Sequence, residues 1–173
     1  MIPKLSLVLG GAASGKSAYA ENLIHRMGLD PVYIATAQVF DDEMAQKVDR
    51  HQAQRGPGWH TIEEPIAVAA ALKPLSSGQA VLIDCATLWL TNLILGEHDV
   101  AAKSEELLAA LGACESPVVV VSNEVGMGIV PDNALSRHFR NAQGLLNQKI
   151  AAQADHVVNV IAGLPMMLKG PGA

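Results

Sequence analysis

The residues Gly10-Gly11-Ala12-Ala13-Ser14-Gly15-Lys16-Ser17 come directly after the apolar run Leu5-Ser6-Leu7-Val8-Leu9. An apolar strand, a glycine-rich loop ending in Gly-Lys-Ser and a helix-compatible stretch match G-x-x-x-x-G-K-[ST] in the setting that gives the pattern its meaning. Small residues let the backbone curl so that successive N–H groups converge on one anion. The next helix adds its positive N-terminal end. Lys16 supplies a point charge for terminal phosphates, and Ser17 a hydroxyl oxygen for Mg²⁺. The bland alternative is a glycine-rich turn with a chance lysine, and the strand before and helix after speak against it. A chain built around such a loop must bring a strand end and a helix start to the same phosphate.

The rest of the sequence has the matching rhythm. Short runs rich in Val and Ile at 4–9, 32–35, 80–84, 118–122 and 156–161 read as strands. They are continuous rather than alternating, the pattern of strands covered on both faces. Helical stretches are expected at 15–27, 41–55, 65–75, 87–95, 102–113 and 132–153. The alternation predicts an α/β fold: one domain over 1–173 with a mostly parallel sheet flanked by helices, right-handed crossovers, and ligands at the carboxyl ends of the strands. Pro31 and Pro117 are placed just before strands, where a missing N–H costs little.

Composition narrows the function. Half the residues are hydrophobic but only 3% are aromatic, so the core is aliphatic. A net charge of −5 argues against a general nucleic-acid binder, which needs a basic face. Cys85 and Cys114 lie in apolar surroundings and read as buried free thiols of a reducing compartment. The six histidines show no zinc-ligand spacing. No segment approaches the ~18 apolar residues of a membrane span, and the apolar stretch after Lys4 is too short for a signal peptide. The chain is therefore expected to be cytoplasmic, without a membrane or nucleic-acid partner.

Three further places carry chemistry. Leu82-Ile83-Asp84 closes an apolar strand on a carboxylate, the usual partner of a phosphate loop for holding Mg²⁺ directly or through water. Ser122-Asn123-Glu124 ends the next strand with polar groups that would face the same crevice, in a role the spacing does not reveal. In the helical stretch 41–55, Met44, Val48, His51 and Arg55 share one face at 100° per residue. A histidine on such a stripe is ordinarily a hydrogen-bonded core or rim residue. Here Arg55, one turn away, offers a fork suited to phosphate, and a neutral imidazole is a competent nucleophile toward phosphorus. Asp41, Asp42 and Glu43 at the start of this stretch suit the helix dipole.

Taken together, several runs resemble one family. They are the phosphate loop, Tyr33-Ile34-Ala35-Thr36-Ala37, Asp41-Asp42-Glu43-Met44, His51 with Arg55, Trp59-His60-Thr61-Ile62-Glu63, Thr91-Asn92-Leu93, and Asn123-Glu124-Val125-Gly126-Met127-Gly128-Ile129-Val130-Pro131. The resemblance is to the bifunctional adenosylcobinamide kinase / adenosylcobinamide-phosphate guanylyltransferase family of cobalamin biosynthesis, and it covers nearly the whole chain in order. It implies phosphorylation of adenosylcobinamide by ATP or GTP. It further implies transfer of GMP from GTP to the product through a GMP–histidine intermediate on His51, giving adenosylcobinamide-GDP and pyrophosphate. Nucleotide contacts would fall on Gly10, Gly11, Ala12, Ala13, Ser14, Gly15, Lys16 and Ser17, on Ala35, Thr36 and Ala37, on Gln52, Ala53, Gln54 and Arg55, and on Glu63 and Asp84. Mg²⁺ would sit at Ser17 and Asp84, and the assembly would be a homotrimer. The family loop commonly has Arg where this chain has Ala13, and the stretch 96–102 is shorter than in some relatives. Two alternatives stay open on the residues alone: a monofunctional small-molecule kinase with a structural His51, and a non-catalytic nucleotide-gated switch.

Overall fold

The structure is a computed structural model and describes residues 2–38 and 56–170. The elements in chain order are β1 (Leu5–Gly10), α1 (Lys16–Met27), β2 (Asp30–Ala35), β3 (His60–Glu63), α2 (Val68–Leu72), β4 (Gln79–Asp84), α3 (Ala86–Leu95), α4 (Val100–Ala113), β5 (Val118–Asn123), α5 (Ala134–Gln153), β6 (His156–Ile161) and β7 (Leu164–Lys169). Seven strands form one sheet in the order β3-β2-β4-β5-β1-β6-β7. All neighbours are parallel except β6 and β7, an antiparallel hairpin at the edge.

The continuous apolar runs do what their pattern demands. On one face of the sheet Leu7, Ile34, Ile83, Val120 and Val157 pack against Leu72 of α2, Trp89 and Leu93 of α3, Leu111 of α4 and Ile150 of α5. On the other face Val8, Leu82, Val121 and Val158 pack with Ala20 and Ile24 of α1. Alternate residues of each central strand thus enter different cores, which is why charged residues are missing from the middles of these strands. Each fully buried Val, Leu or Ile contributes roughly 1.5–3 kcal/mol relative to exposure.

The expected strands are present with ends shifted by one or two residues, and the expected helices other than 41–55 are present too. The stretch 41–55, with His51 and Arg55, lies outside the described residues. Three expectations need correction. Pro31 lies inside β2 rather than before it, opposite Ala80 of β4. Pairing with β3 begins only at Val32, so the missing N–H of Pro31 faces no strand. The helix expected over 65–75 is only α2. Glu64 accepts from the N–H groups of Ile66 (3.0 Å) and Ala67 (2.7 Å), holding that segment in a turn. At the other end Pro74 has no N–H to carry the helical ladder past Lys73. Finally, β3 and β7 are strands beyond those expected. β3 is four residues long, and β7 carries Pro165, which an edge strand tolerates.

Candidate active site

The phosphate loop closes where β1 ends, inside the sheet between β5 and β6. Ala13 (φ 53°) and Gly15 (φ 92°) adopt left-handed backbone, the turn geometry that points N–H groups into a concave anion nest. A Cβ at Gly10 would stand 2.3 Å from Ser14 Oγ and 2.7 Å from the Val160 carbonyl oxygen, so only glycine fits there. Lys16, the first residue of α1, donates from Nζ to the Gly11 carbonyl at 3.0 Å, which draws its charge over the loop. The loop is also gripped from outside. The N–H of Gly163, in the turn between β6 and β7, donates to the Ser14 carbonyl at 2.8 Å.

A continuous hydrogen-bonded strip runs along the carboxyl edge from this loop. The Glu124 N–H donates to the Gly10 carbonyl (3.1 Å), joining β5 to β1. The Asn123 N–H donates to Thr87 Oγ1 (2.8 Å), joining β5 to the start of α3. Thr36 Oγ1 accepts from the Cys85 N–H and donates to the Cys85 carbonyl, both at 2.8 Å, joining β2 to β4. Asn92 Nδ2 donates to the carbonyls of Thr36 (2.8 Å) and Pro65 (3.0 Å), fixing the chain just past the ends of β2 and β3. Behind the end of β5 lies a buried network. Ser122 Oγ donates to Asn147 Oδ1 (2.6 Å), Gln143 Nε2 donates to Ser122 Oγ (2.9 Å), and Asn147 Nδ2 donates to the Asn123 carbonyl (3.1 Å). Five strand ends are thereby held as one rigid lip.

The anticipated residues fall on this lip at different distances. Asp84 ends β4, and its Oδ2 accepts from the Tyr33 hydroxyl at 3.1 Å. β5 separates β4 from β1, so Asp84 stands two inter-strand steps from Gly10, about 10 Å at ordinary spacing. Its carboxylate and the Ser17 hydroxyl are oxygen donors of the kind that Mg²⁺ accepts. Among the described residues no group of three or more His, Cys, Asp or Glu could hold a metal. Glu63 ends β3 opposite Ala35 of β2, four steps from β1, about 19 Å along the edge. Thr36 is buried and its hydroxyl is committed to Cys85. Ala35 and Ala37 are half-buried at the same place, while Ala12 and Ala13 are exposed on the loop. Gln52, Ala53, Gln54, Arg55 and His51 lie outside the described residues. Burial pushes the Cys85 thiol up to about 11, with the Asp84 charge adding to the rise and Lys16 opposing it. A neutral buried thiol at this position is inert at pH 7.

The Gly163 clamp, Thr87 and the Gln143–Asn147 pair escape sequence reasoning. Each works through a fold-level neighbour; the Ala162-Gly163 turn shows itself only in the structure, as a positive-φ pair (52° and 77°).

The comparisons with known proteins agree with this geometry. The family model described as "Cobinamide kinase / cobinamide phosphate guanyltransferase" matches residues 6–168. The chain is 46% identical over 167 residues to the bifunctional adenosylcobalamin biosynthesis protein CobP of Pseudomonas aeruginosa, covering 95% of this chain and 96% of that one. It is 41% identical over 184 residues to the bifunctional protein CobU of Salmonella typhimurium, covering 94% and 98%. Among solved structures, the flagellar accessory protein FlaH of Methanocaldococcus jannaschii shares the fold with a TM-score of 0.54 at 12% identity, over 99% of this chain and 83% of that one. The match spans the phosphate loop, the strand ends and the loop after β5, and the chain belongs to the cobinamide kinase / cobinamide phosphate guanyltransferase family.

Proposed function

We propose that this chain carries out the two reactions of its family at one nucleotide site, with His51 as the nucleophile of the second. The observation that carries the reading is the phosphate loop, with Lys16 drawn over it and Asp84 two strands away on the same lip. In the first reaction the hydroxyl oxygen of adenosylcobinamide attacks the γ-phosphorus of ATP or GTP. The bond to the β–γ bridging oxygen breaks, the nucleoside diphosphate leaves, and the hydroxyl proton passes to solvent. Phosphoryl transfer of this kind needs positioning and charge neutralisation more than covalent help. Loop amides and Lys16 supply both.

In the second reaction a neutral ring nitrogen of His51 attacks the α-phosphorus of GTP. The bond to the α–β bridging oxygen breaks and pyrophosphate leaves. A phosphate oxygen of adenosylcobinamide phosphate then attacks the same phosphorus, the P–N bond breaks, and adenosylcobinamide-GDP forms. A neutral imidazole is a competent nucleophile toward phosphorus. Arg55 is assigned to the phosphates. The Ser17 hydroxyl and the Asp84 carboxylate would hold Mg²⁺, which would neutralise phosphate charge. Glu63, about 19 Å from β1, is assigned to the base or ribose end of a nucleotide extended along the lip.

Two further parts of the reading have their own support. The residues Leu164, Met166 and Leu168 of edge strand β7 are 71%, 48% and 50% exposed, an apolar stripe that supports association between copies of the chain, in keeping with the proposed trimer. The thiols of Cys85 and Cys114 are free and buried, which favours a reducing compartment such as the cytoplasm. The site assignment is tested with GTP labelled on the α-phosphate. Wild type is expected to hold acid-labile, base-stable label. His51→Ala is expected to lose it while still phosphorylating adenosylcobinamide. A His51→Ala protein that labels normally moves the nucleophile elsewhere, with His60 the nearest rival.

A further inference from the structure

Between β5 and α5 the chain runs Glu124-Val125-Gly126-Met127-Gly128-Ile129-Val130-Pro131. Met127 is 85%, Ile129 97% and Val130 64% exposed. Three large apolar side chains within four residues stand in water on the edge of the sheet that binds ligands. Scattered exposed apolar residues need no account, but a cluster beside a site marks a surface that is covered in use.

The segment is held in this pose. The Glu124 carboxylate accepts from the Gly126 N–H. Arg140 Nη2 donates to the Gly126 carbonyl at 2.6 Å. Arg137 Nη1 donates to the carbonyls of Pro131 (3.0 Å) and Asp132 (2.6 Å). Asn133 caps α5 by accepting from the Ser136 N–H at 2.8 Å. Two arginines and a carboxylate thus tie down the main chain at both ends of the loop, and the apolar side chains are left outward between the ties. The loop is also continuous with the nucleotide site. It departs from Glu124, whose N–H is bonded to the Gly10 carbonyl at 3.1 Å.

Resting on the function proposed above, we propose that Met127, Ile129 and Val130 form the platform that receives the corrin ring of the acceptor, so that its hydroxyl-bearing arm reaches the phosphate held over Lys16. The acceptor chemistry fits. Cobinamide is a broad macrocycle with methyl-bearing faces, and its reactive hydroxyl sits at the end of a flexible arm. Its ring must rest beside the phosphate loop rather than in it. The adenosylated ring also carries a net positive charge at cobalt, and Glu124 and Asp132 flank the apolar triad in a chain of net charge −5. A platform of this kind selects for a bulky amphipathic acceptor and contributes nothing to holding the nucleotide.

The test separates acceptor from nucleotide. In the kinase assay the combined variant Met127→Ser, Ile129→Ser, Val130→Ser is expected to raise KM for adenosylcobinamide by roughly tenfold or more, with KM for the nucleotide moving less than about twofold. Ile129→Ser alone gives a smaller rise in the same direction, and serves should the combined variant fold poorly. Ile129→Leu restores the wild-type value. Leu145→Ser, on α5 and 59% exposed, is the control and leaves both constants unchanged. An unchanged corrinoid KM in the Ser variants overturns the platform. So does an equal rise for both substrates, or a fall in solution mass by light scattering, which would make the loop a subunit contact. Failure of the His51 assignment is read from the absence of GMP label in wild type, a result the kinase constants do not depend on.

Discussion

At Gly10 there is no room for one more carbon. The clash with the Val160 carbonyl involves main chain on a neighbouring strand, so it cannot be relieved by a rotamer change. Gly10→Ala is expected to lower stability by about 1–3 kcal/mol and to weaken GTP binding by roughly tenfold or more, checked by thermal melts and a GTP titration. Wild-type binding in that variant would mean the loop is looser than its geometry requires. Cys85 makes a second prediction of this kind. Its thiol is held up at about 11, against 9.0 for an ordinary thiol, mainly by burial. The folded state therefore keeps a proton that the unfolded chain releases. The stabilisation is complete below pH 9.0 and is lost as pH rises toward about 11, a change on the order of 3 kcal/mol. Urea unfolding at rising alkaline pH should show this fall in wild type and a flatter profile in Cys85→Ala. Iodoacetamide should modify Cys85 only after denaturation. Single residues also show how much of a site a sequence reveals. Lys16 and Ser17 are legible because the phosphate-loop pattern is local. Gly163, which grips the same loop, is invisible because its partner Ser14 lies at the other end of the chain.

Among the elements, the central strands were legible because burial on both faces leaves no alternative to continuous Val, Leu and Ile. β4 and β5 are found within a residue of their expected ends. β3 and β7 were not legible, since a strand at the sheet edge need satisfy only one neighbour and can be short or contain proline. The helix expected over 65–75 shrank to α2 because the turn held by Glu64 and the missing N–H of Pro74 outweigh the apolar pattern. Two buried polar residues in the body of α5 face the end of β5 for a reason that periodicity alone does not state. Gln143 and Asn147 are one turn apart and both reach Ser122. Asn147→Leu would leave the Ser122 O–H without its acceptor, although Gln143 still donates to that oxygen, and would remove the side-chain donor to the Asn123 carbonyl. It is expected to cost about 2–4 kcal/mol in chemical denaturation and to lower kinase activity through a displaced β5 end. A variant with unchanged stability would show that water replaces both bonds without cost.

Across the entire fold the strand order decides how a nucleotide can lie. β5 between β1 and β4 moves Asp84 away from direct contact with the loop, and β2 and β3 carry Glu63 to the far edge. Strand order is not readable from the linear sequence, so the separation of Lys16, Asp84 and Glu63 emerged only from the fold. The two ends of the lip are joined by the hydrogen-bonded strip through Thr36, Cys85, Thr87 and Asn123, which lets one rigid edge serve both a phosphoryl and a nucleotidyl transfer. The proposed chemistry turns on GMP passing through one imidazole, at His51. Peptide mapping by mass spectrometry of the wild-type protein, after incubation with GTP and Mg²⁺, reads that step without an intermediary. A single GMP adduct on His51 is expected, removed when adenosylcobinamide phosphate is added and recovered as adenosylcobinamide-GDP. An adduct on another side chain, or guanylyl transfer with none on His51, refutes the mechanism.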